Sequence, residues 1–196
     1  SDLLIVIDAS EGLSEQDVKI AGYVHEEGKA CVLLINKWDL IKKDTHTVEV
    51  FKKNILIDLA FMSYIPMLFI SAKTGQRVNR IMDMVKTVFE QNSRRISTGI
   101  LNDIVSEAVL ANDPPSDKGR RLKIYYVTQV STRPPTFVLF VNDSTLMHFS
   151  YKRYLENYLR KSFGLDATPV RLIIRTREKQ EAPSNGPRKN KEETDE

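Results

Sequence analysis

The sequence predicts an α/β parallel-sheet unit followed by a smaller α+β unit of order α-β-β-α-β. Three observations carry that prediction. Apolar runs without polar alternation recur at residues 3–7, 31–35 and 67–70, with helical patterns after each. Such runs suit strands covered on both faces, as in a parallel sheet. Near residues 94–97 the pattern changes to one helix, two strands, a second helix and a final strand. The 196 residues, 41% hydrophobic and 28% charged, are enough to bury a core in each unit.

The elements follow in order. Leu3 to Ile7 is bounded by Asp8 and Gly12. Ser14 is placed to cap a helix opening Glu15-Gln16-Asp17, with Asp17 near the positive end of the dipole. Gly28 is read as the helix C-cap that leads into the Cys31–Ile35 run. Residues 47–61 form the second helix and Met67–Ile70 the third strand. In the third helix Val78, Ile81, Met82, Val85 and Phe89 recur at helical spacing and are expected to pack into the core. The order β-α-β-α-β-α implies right-handed parallel crossovers.

In the second unit, Ile100 to Val109 gives an amphipathic helix, and residues 112–119, with Pro114-Pro115, give a loop. Residues 122–130 read as a strand, residues 131–135 as a turn, and residues 137–141 as the returning strand. Tyr125 and Tyr126 flank a sheet face, and at least one is expected in the core. Tyr151 to Phe163 is a helix ended by Gly164, and residues 170–174 are the last strand. Both helices are expected against one sheet face. The units are expected over residues 1–93 and 95–176. Residues 177–196 have no aromatic or β-branched apolar residue and are expected to be disordered.

Composition narrows the function classes. No apolar run approaches the roughly 20 residues of a membrane helix. One cysteine, Cys31, excludes an internal disulfide framework and a cysteine-clustered zinc site, and is read as strand core. No basic-then-apolar leader opens the chain, so a cytoplasmic location is expected. The first residue is Ser1, not Met, and a strand pattern follows at once, so the chain is expected to begin inside a domain. His25, His46 and His148 have no partner at metal-ligand spacing and are read as surface or loop residues; no metal ligand is assigned. Residues 96–176 carry eleven Lys and Arg against seven Asp and Glu, whereas residues 1–95 carry thirteen of each. Any polyanion surface is therefore expected on the second unit.

The chemically specific segment is Asn36-Lys37-Trp38-Asp39, of form N-K-x-D, directly after a parallel strand. Ligands bind such sheets at the carboxyl ends of the strands. Guanine offers an N1–H and an exocyclic amino group on one edge, and the Asp39 carboxylate matches both. Adenine presents no such donor pair. Asn36 suits the purine's other polar edge and also ties neighbouring loops together. The Lys37 stem suits the base plane while its ammonium stays wet. The next strand ends in Ser71-Ala72-Lys73, where the Ala72 N–H is placed to donate to guanine O6 and Ser71 and Lys73 to brace the loop.

This pair of loops resembles the guanine-recognition loops of translation-factor-class GTPases. Those proteins also carry a G-x-x-x-x-G-K-[ST] phosphate loop and a D-x-x-G switch, and neither motif occurs here. In Gly22-Tyr23-Val24-His25-Glu26-Glu27-Gly28-Lys29-Ala30 the glycines are one residue too far apart, and Ala30 has no hydroxyl for magnesium. Together with Asp8-Ala9-Ser10-Glu11-Gly12 and Thr128 to Phe137, the loops resemble the Der (EngA) family of bacterial double-GTPases. The resemblance covers about residues 1–176.

The resemblance implies the C-terminal half of a GTPase domain followed by a KH-like domain, and a partner strand beside residues 3–7. It implies GTP or GDP held here by its guanine end only, through Asn36, Lys37, Trp38, Asp39, Ser71, Ala72 and Lys73. Mg2+ is implied only for the intact domain, and no catalytic residue is assigned. It further implies a role in large-ribosomal-subunit assembly. Ribosomal RNA or the other G domains are the implied partners, and no membrane is. The candidate basic contacts are Lys118, Arg120, Arg121, Arg133, Lys152, Arg153, Arg160 and Lys161. No two glycines lie three apart, so the G-x-x-G clamp of an RNA-binding KH domain is missing. Two other readings fit the same residues: an RNA- or protein-binding module without nucleotide activity, and a fragment of an Era-like GTPase.

Overall fold

The computed structural model describes residues 3–42, 44, 46–117 and 119–177. Lys118 and the tail after Arg177 lie outside the described residues, so the expectations placed on them do too.

The first unit is built on three parallel strands, β1 (Leu3–Asp8), β2 (Cys31–Asn36) and β3 (Met67–Phe69), in that spatial order. Helix α1 (Glu15–Glu26) connects β1 to β2, and α2 (Thr47–Asp58) connects β2 to β3. Ser14 caps α1 in a reciprocal box with Asp17, as its spacing predicts. Helix α2 stops at Asp58, short of the predicted residue 61, and a separate 3-10 turn spans Ala60–Met62. One sheet face packs on α1 and α2 through Ile5, Ile7, Leu33, Ile35 and Phe69. The other packs on α3 (Ile81–Asn92) through Val32, Leu34, Leu68 and Val88. Cys31 is buried, which pushes its thiol up to about 12.

Two burial expectations are corrected here. β2 is covered on both faces, but β1 is not: Ile5 and Ile7 are buried while Leu4 is 47% and Val6 55% exposed. Of the predicted stripe, Ile81 and Val85 of α3 pack against the core, while Val78, in the turn before α3, and Met82 and Phe89 are exposed; Val88 supplies the fully buried contact. The reason is geometric. α3 lies over β2 and β3 and leaves the same face of β1 bare. An apolar groove of about 180 Å3 remains between Leu3, Leu4, Met82 and Val85.

The second unit begins with α4 (Thr98–Ala111). Part of the predicted loop forms a short hairpin, β4 (Ser116–Asp117) with β5 (Arg120–Arg121). Then follow β6 (Ile124–Ser131), β7 (Thr136–Val141), α5 (Phe149–Ser162) and β8 (Arg171–Thr176). β7 lies between antiparallel β6 and parallel β8. The core joins Leu101 and Val105 of α4, Leu155 and Leu159 of α5, and the inward residues of β6 to β8. Gly164 ends α5 at φ +59°, the left-handed conformation expected of it. Tyr125 and Tyr126 are both exposed, against the expectation that one is core; Tyr126 stacks on Phe140 across the strands at 4.4 Å.

Polar contacts join the units. The Arg171 guanidinium donates to the Glu26 carbonyl at 2.6 Å, and buried Thr168 donates to Asn92 Oδ1 at 2.9 Å. Gly28, the predicted end of α1, adopts φ +67° and lies against Pro134 and Arg171. The position serves both a left-handed turn and a close approach.

Candidate functional site

The strand ends converge at one rim. Asp8 of β1 is in register with Asn36 of β2, and Ile35 with Phe69 of β3. The turns that follow are held by main-chain bonds. Ala9 N–H donates to Asn36 O at 2.9 Å, and Trp38 N–H donates to Ile70 O at 3.0 Å. The three loops therefore leave the sheet as one bonded group.

Trp38 is the anchor of that group. Its indole is 1% exposed and packs on Phe69 at 4.5 Å and Phe51 at 5.4 Å. Such aromatic pairs contribute about 0.5–1.5 kcal/mol beyond their area. The Trp38 side chain is thus in the core, beneath the turn that carries Lys37 and Asp39, and leaves only its main chain at the rim. A tryptophan at the open position of N-K-x-D fills the space beneath the loop. Lys37 and Asp39 flank it; Lys37 is exposed and Asp39 half-buried in the 3-10 turn Trp38–Leu40.

Asn36 spans the gap to the third loop. Its Oδ1 accepts the Ala72 N–H at 3.0 Å, so the loop-tying role predicted for Asn36 is present. The same bond engages the amide expected to donate to guanine O6. Ser71 is buried, and its hydroxyl accepts the Thr74 N–H at 3.2 Å, which braces the turn. Ala72 and Lys73 face solvent.

Lys37 adopts a left-handed backbone at φ 58° and directs its ammonium to Asp8 Oδ2 at 2.5 Å. Asp8 also accepts the N–H and hydroxyl of Ser10 at 2.9 and 2.6 Å. The Lys37 hydrogen bond, then those of Ser10, hold the Asp8 carboxyl at about 2. The paired carboxylate raises Lys37 in turn. In the sequence Asp8 stands as a strand end and as the first residue of the Asp8–Gly12 segment; its pairing with Lys37 appears only once β1 and β2 lie side by side.

The candidate basic contacts divide. Arg120 pairs with Asp143 at 3.1 Å, Arg121 with Asp113 at 2.7 Å, and Lys152 with Glu156 at 3.9 Å. Arg153 and Lys161 are exposed on α5. Arg133 turns toward the first unit, where Nε donates to Ser93 Oγ at 3.0 Å and the guanidinium lies over Phe89 at 4.7 Å. Arg160 is engaged within the protein: it donates to the carbonyls of Leu165 and Thr168 and lies 4.9 Å over the Tyr64 ring. His25 is also corrected. It is half-buried, 3.0 Å from the Tyr64 hydroxyl, and burial lowers its pKa.

Among the described residues no group of three His, Cys, Asp or Glu could hold a metal ion. No described helix is long and apolar enough to cross a membrane.

Comparison with known proteins separates the same two units. Residues 2–91 match the family model of the elongation factor Tu GTP binding domain. Residues 95–175 match that of the KH-domain-like C-terminal part of EngA bacterial GTPase enzymes. The protein called GTPase Der in Ruminiclostridium cellulolyticum is 60% identical over 177 residues, which are 90% of this chain and 40% of that protein. GTPase Der of Acetivibrio thermocellus is 58% identical over 90% of this chain and 40% of its own length. GTPase Der of Symbiobacterium thermophilum is 56% identical over 90% and 38%. The chain spans about two fifths of the length of these relatives.

Proposed function

The chain belongs to the Der (EngA) family of bacterial GTPases, and from that premise we propose that it binds the guanine end of GTP or GDP and acts in assembly of the large ribosomal subunit. The Asp39 carboxylate accepts the two guanine donors, the Lys37 stem covers the base, and the loop of Ser71, Ala72 and Lys73 closes the O6 side. The observation that carries the reading is the 3.0 Å bond from Ala72 N–H to Asn36 Oδ1, which brings N-K-x-D and S-A-K to one rim. For that amide to reach O6 it must be shared with, or transferred from, Asn36. Residues 1–93 are proposed as the base-recognising part of a GTPase domain and residues 95–176 as a KH-like domain. The second unit docks on ribosomal RNA or on the family's other G domains, with Arg120, Arg121, Lys152, Arg153 and Lys161 as its candidate cations. No hydrolytic step is assigned, because phosphoryl transfer needs a phosphate cradle and no such motif occurs in the sequence.

The test is a titration of the chain with GDP and with xanthosine diphosphate, read by amide chemical shifts. GDP should move the amides of Asn36, Lys37, Asp39 and Ala72. Asp39→Asn should shift preference toward the xanthine nucleotide by about tenfold or more, since a hydrogen bond to a charged group contributes about 1.5–3 kcal/mol. Selectivity unchanged by Asp39→Asn would overturn the assignment.

A further inference from the structure

A second site lies at the other end of the sheet. α1 runs back from the carboxyl rim, so its last residues sit at the amino end of the strands, away from Asn36. There His25, Phe61 and Tyr64 form one wall of a cleft of about 380 Å3. Phe149, Lys152 and Arg153, on one face of α5, form the other. The size is within the ~300–1,000 Å3 range of small-ligand sites.

We propose that this interunit cleft holds a nucleotide of a single RNA strand, with its base stacked on Phe149 and its phosphate on Lys152 and Arg153. This deepens the reading of the second unit as an RNA-docking module and rests on it. Phe149 is 74% exposed at the first turn of α5. A phenylalanine left in water beside two cations is the arrangement that single-strand binders use, because every base offers a π-face to an aromatic ring. The opposite wall is fixed in advance: the Tyr64 hydroxyl lies 3.0 Å from His25 Nδ1, and Arg160 covers the ring. Burial lowers the His25 pKa, in keeping with a neutral wall. Glu156 also lines the cleft but is paired with Lys152. Against Lys152, Arg153 and Arg160 it leaves the walls net positive. An acidic peptide would satisfy those cations but leave the exposed ring unstacked, so a strand carrying both phosphate and base is the better match.

The experiment uses the whole chain and a fluorescein-labelled unstructured RNA of about ten nucleotides, within the site sizes of single-strand binders. Anisotropy is read over a salt series. Phe149→Ala should weaken binding by about tenfold, and Phe149→Tyr should restore it. Lys152→Gln with Arg153→Gln should flatten the salt slope by about 0.7 for each phosphate contact removed. Phe149 and Arg153 are exposed and Lys152 is half-buried at the cleft, and an unchanged unfolding midpoint checks that the variants fold. Failure of the wild-type chain to bind, or binding that none of these variants alters, overturns the proposal. So does equal binding of a perfect RNA duplex, whose bases are not free to stack. Displacement by a free mononucleotide at micromolar concentration overturns the strand as the occupant. The guanine reading is judged separately by the amide shifts at Asn36 and Asp39.

Discussion

Lys37 reaches from the turn after β2 to Asp8 at the end of β1, with its ammonium 2.5 Å from the carboxylate. The pair joins the first and second loops at the rim, while Asn36 and Ala72 join the second and third. The candidate base site is therefore held by contacts between loops more than by any loop alone.

Acid should weaken the first junction late. Asp8 ionises at about 2 in the folded chain, against an ordinary 3.8. A carboxyl depressed on folding stabilises the fold fully above its unfolded pKa and loses that contribution as pH falls through its folded pKa. The window is thus from about 4 down to about 2. Denaturant unfolding across that window should show a flatter pH dependence for Asp8→Asn than for the wild type. Parallel curves would contradict the pairing.

The Trp38 anchor predicts a large stability change. Trp38→Ala removes a buried indole between Phe51 and Phe69 and should cost about 3–5 kcal/mol. Trp38→Phe keeps an aromatic wedge and should cost less. Chemical denaturation gives both values, and a Trp38→Ala loss under about 1 kcal/mol would show that the loop does not depend on the wedge.

Asn36→Ala breaks the clamp to Ala72. The Ala72 amide should then exchange with solvent about fivefold faster, as expected for loss of a hydrogen bond of about 1 kcal/mol. Hydrogen exchange at residues 71–76 reports this directly. Unchanged protection would mean that Ser71 and Gln76, which share a bridge, hold the loop without Asn36.

The bare face of β1 predicts self-association. Leu4 and Val6 are exposed on a strand with no partner on its outer edge among the described residues. Such strands template pairing with other chains. Val6→Lys should lower the associated fraction seen by light scattering at high protein concentration. A wild-type chain that stays monodisperse under the same conditions would refute the role given to this face.

Much of the first unit was legible because its signals are local. Ser14 and Asp17 meet within one helical turn, and Gly28 needs only its own backbone angle to end α1. The N-K-x-D and S-A-K segments could be placed at one rim because successive parallel strands point the same way. The roles of individual side chains were less legible. Trp38 occupies a motif position that sequence leaves open, and its burial depends on Phe51 and Phe69. Arg160 looks like any surface cation of an amphipathic helix until Leu165, Thr168 and Tyr64 surround it.

By itself the sequence determined the order of the main strands and helices and the loops on which a guanine ring is proposed to rest, but not the hairpin of β4 and β5. Short-range hydrophobic spacing and hydrogen-bonding chemistry carry that information. Tertiary structure alone decided that β1 keeps one face bare, that Asp8 partners Lys37, and that His25 and Phe149 border one cleft. Each depends on residues far apart in the chain. Whether an apolar or charged group ends buried, paired or open is set by what packs over it, and no local pattern states that.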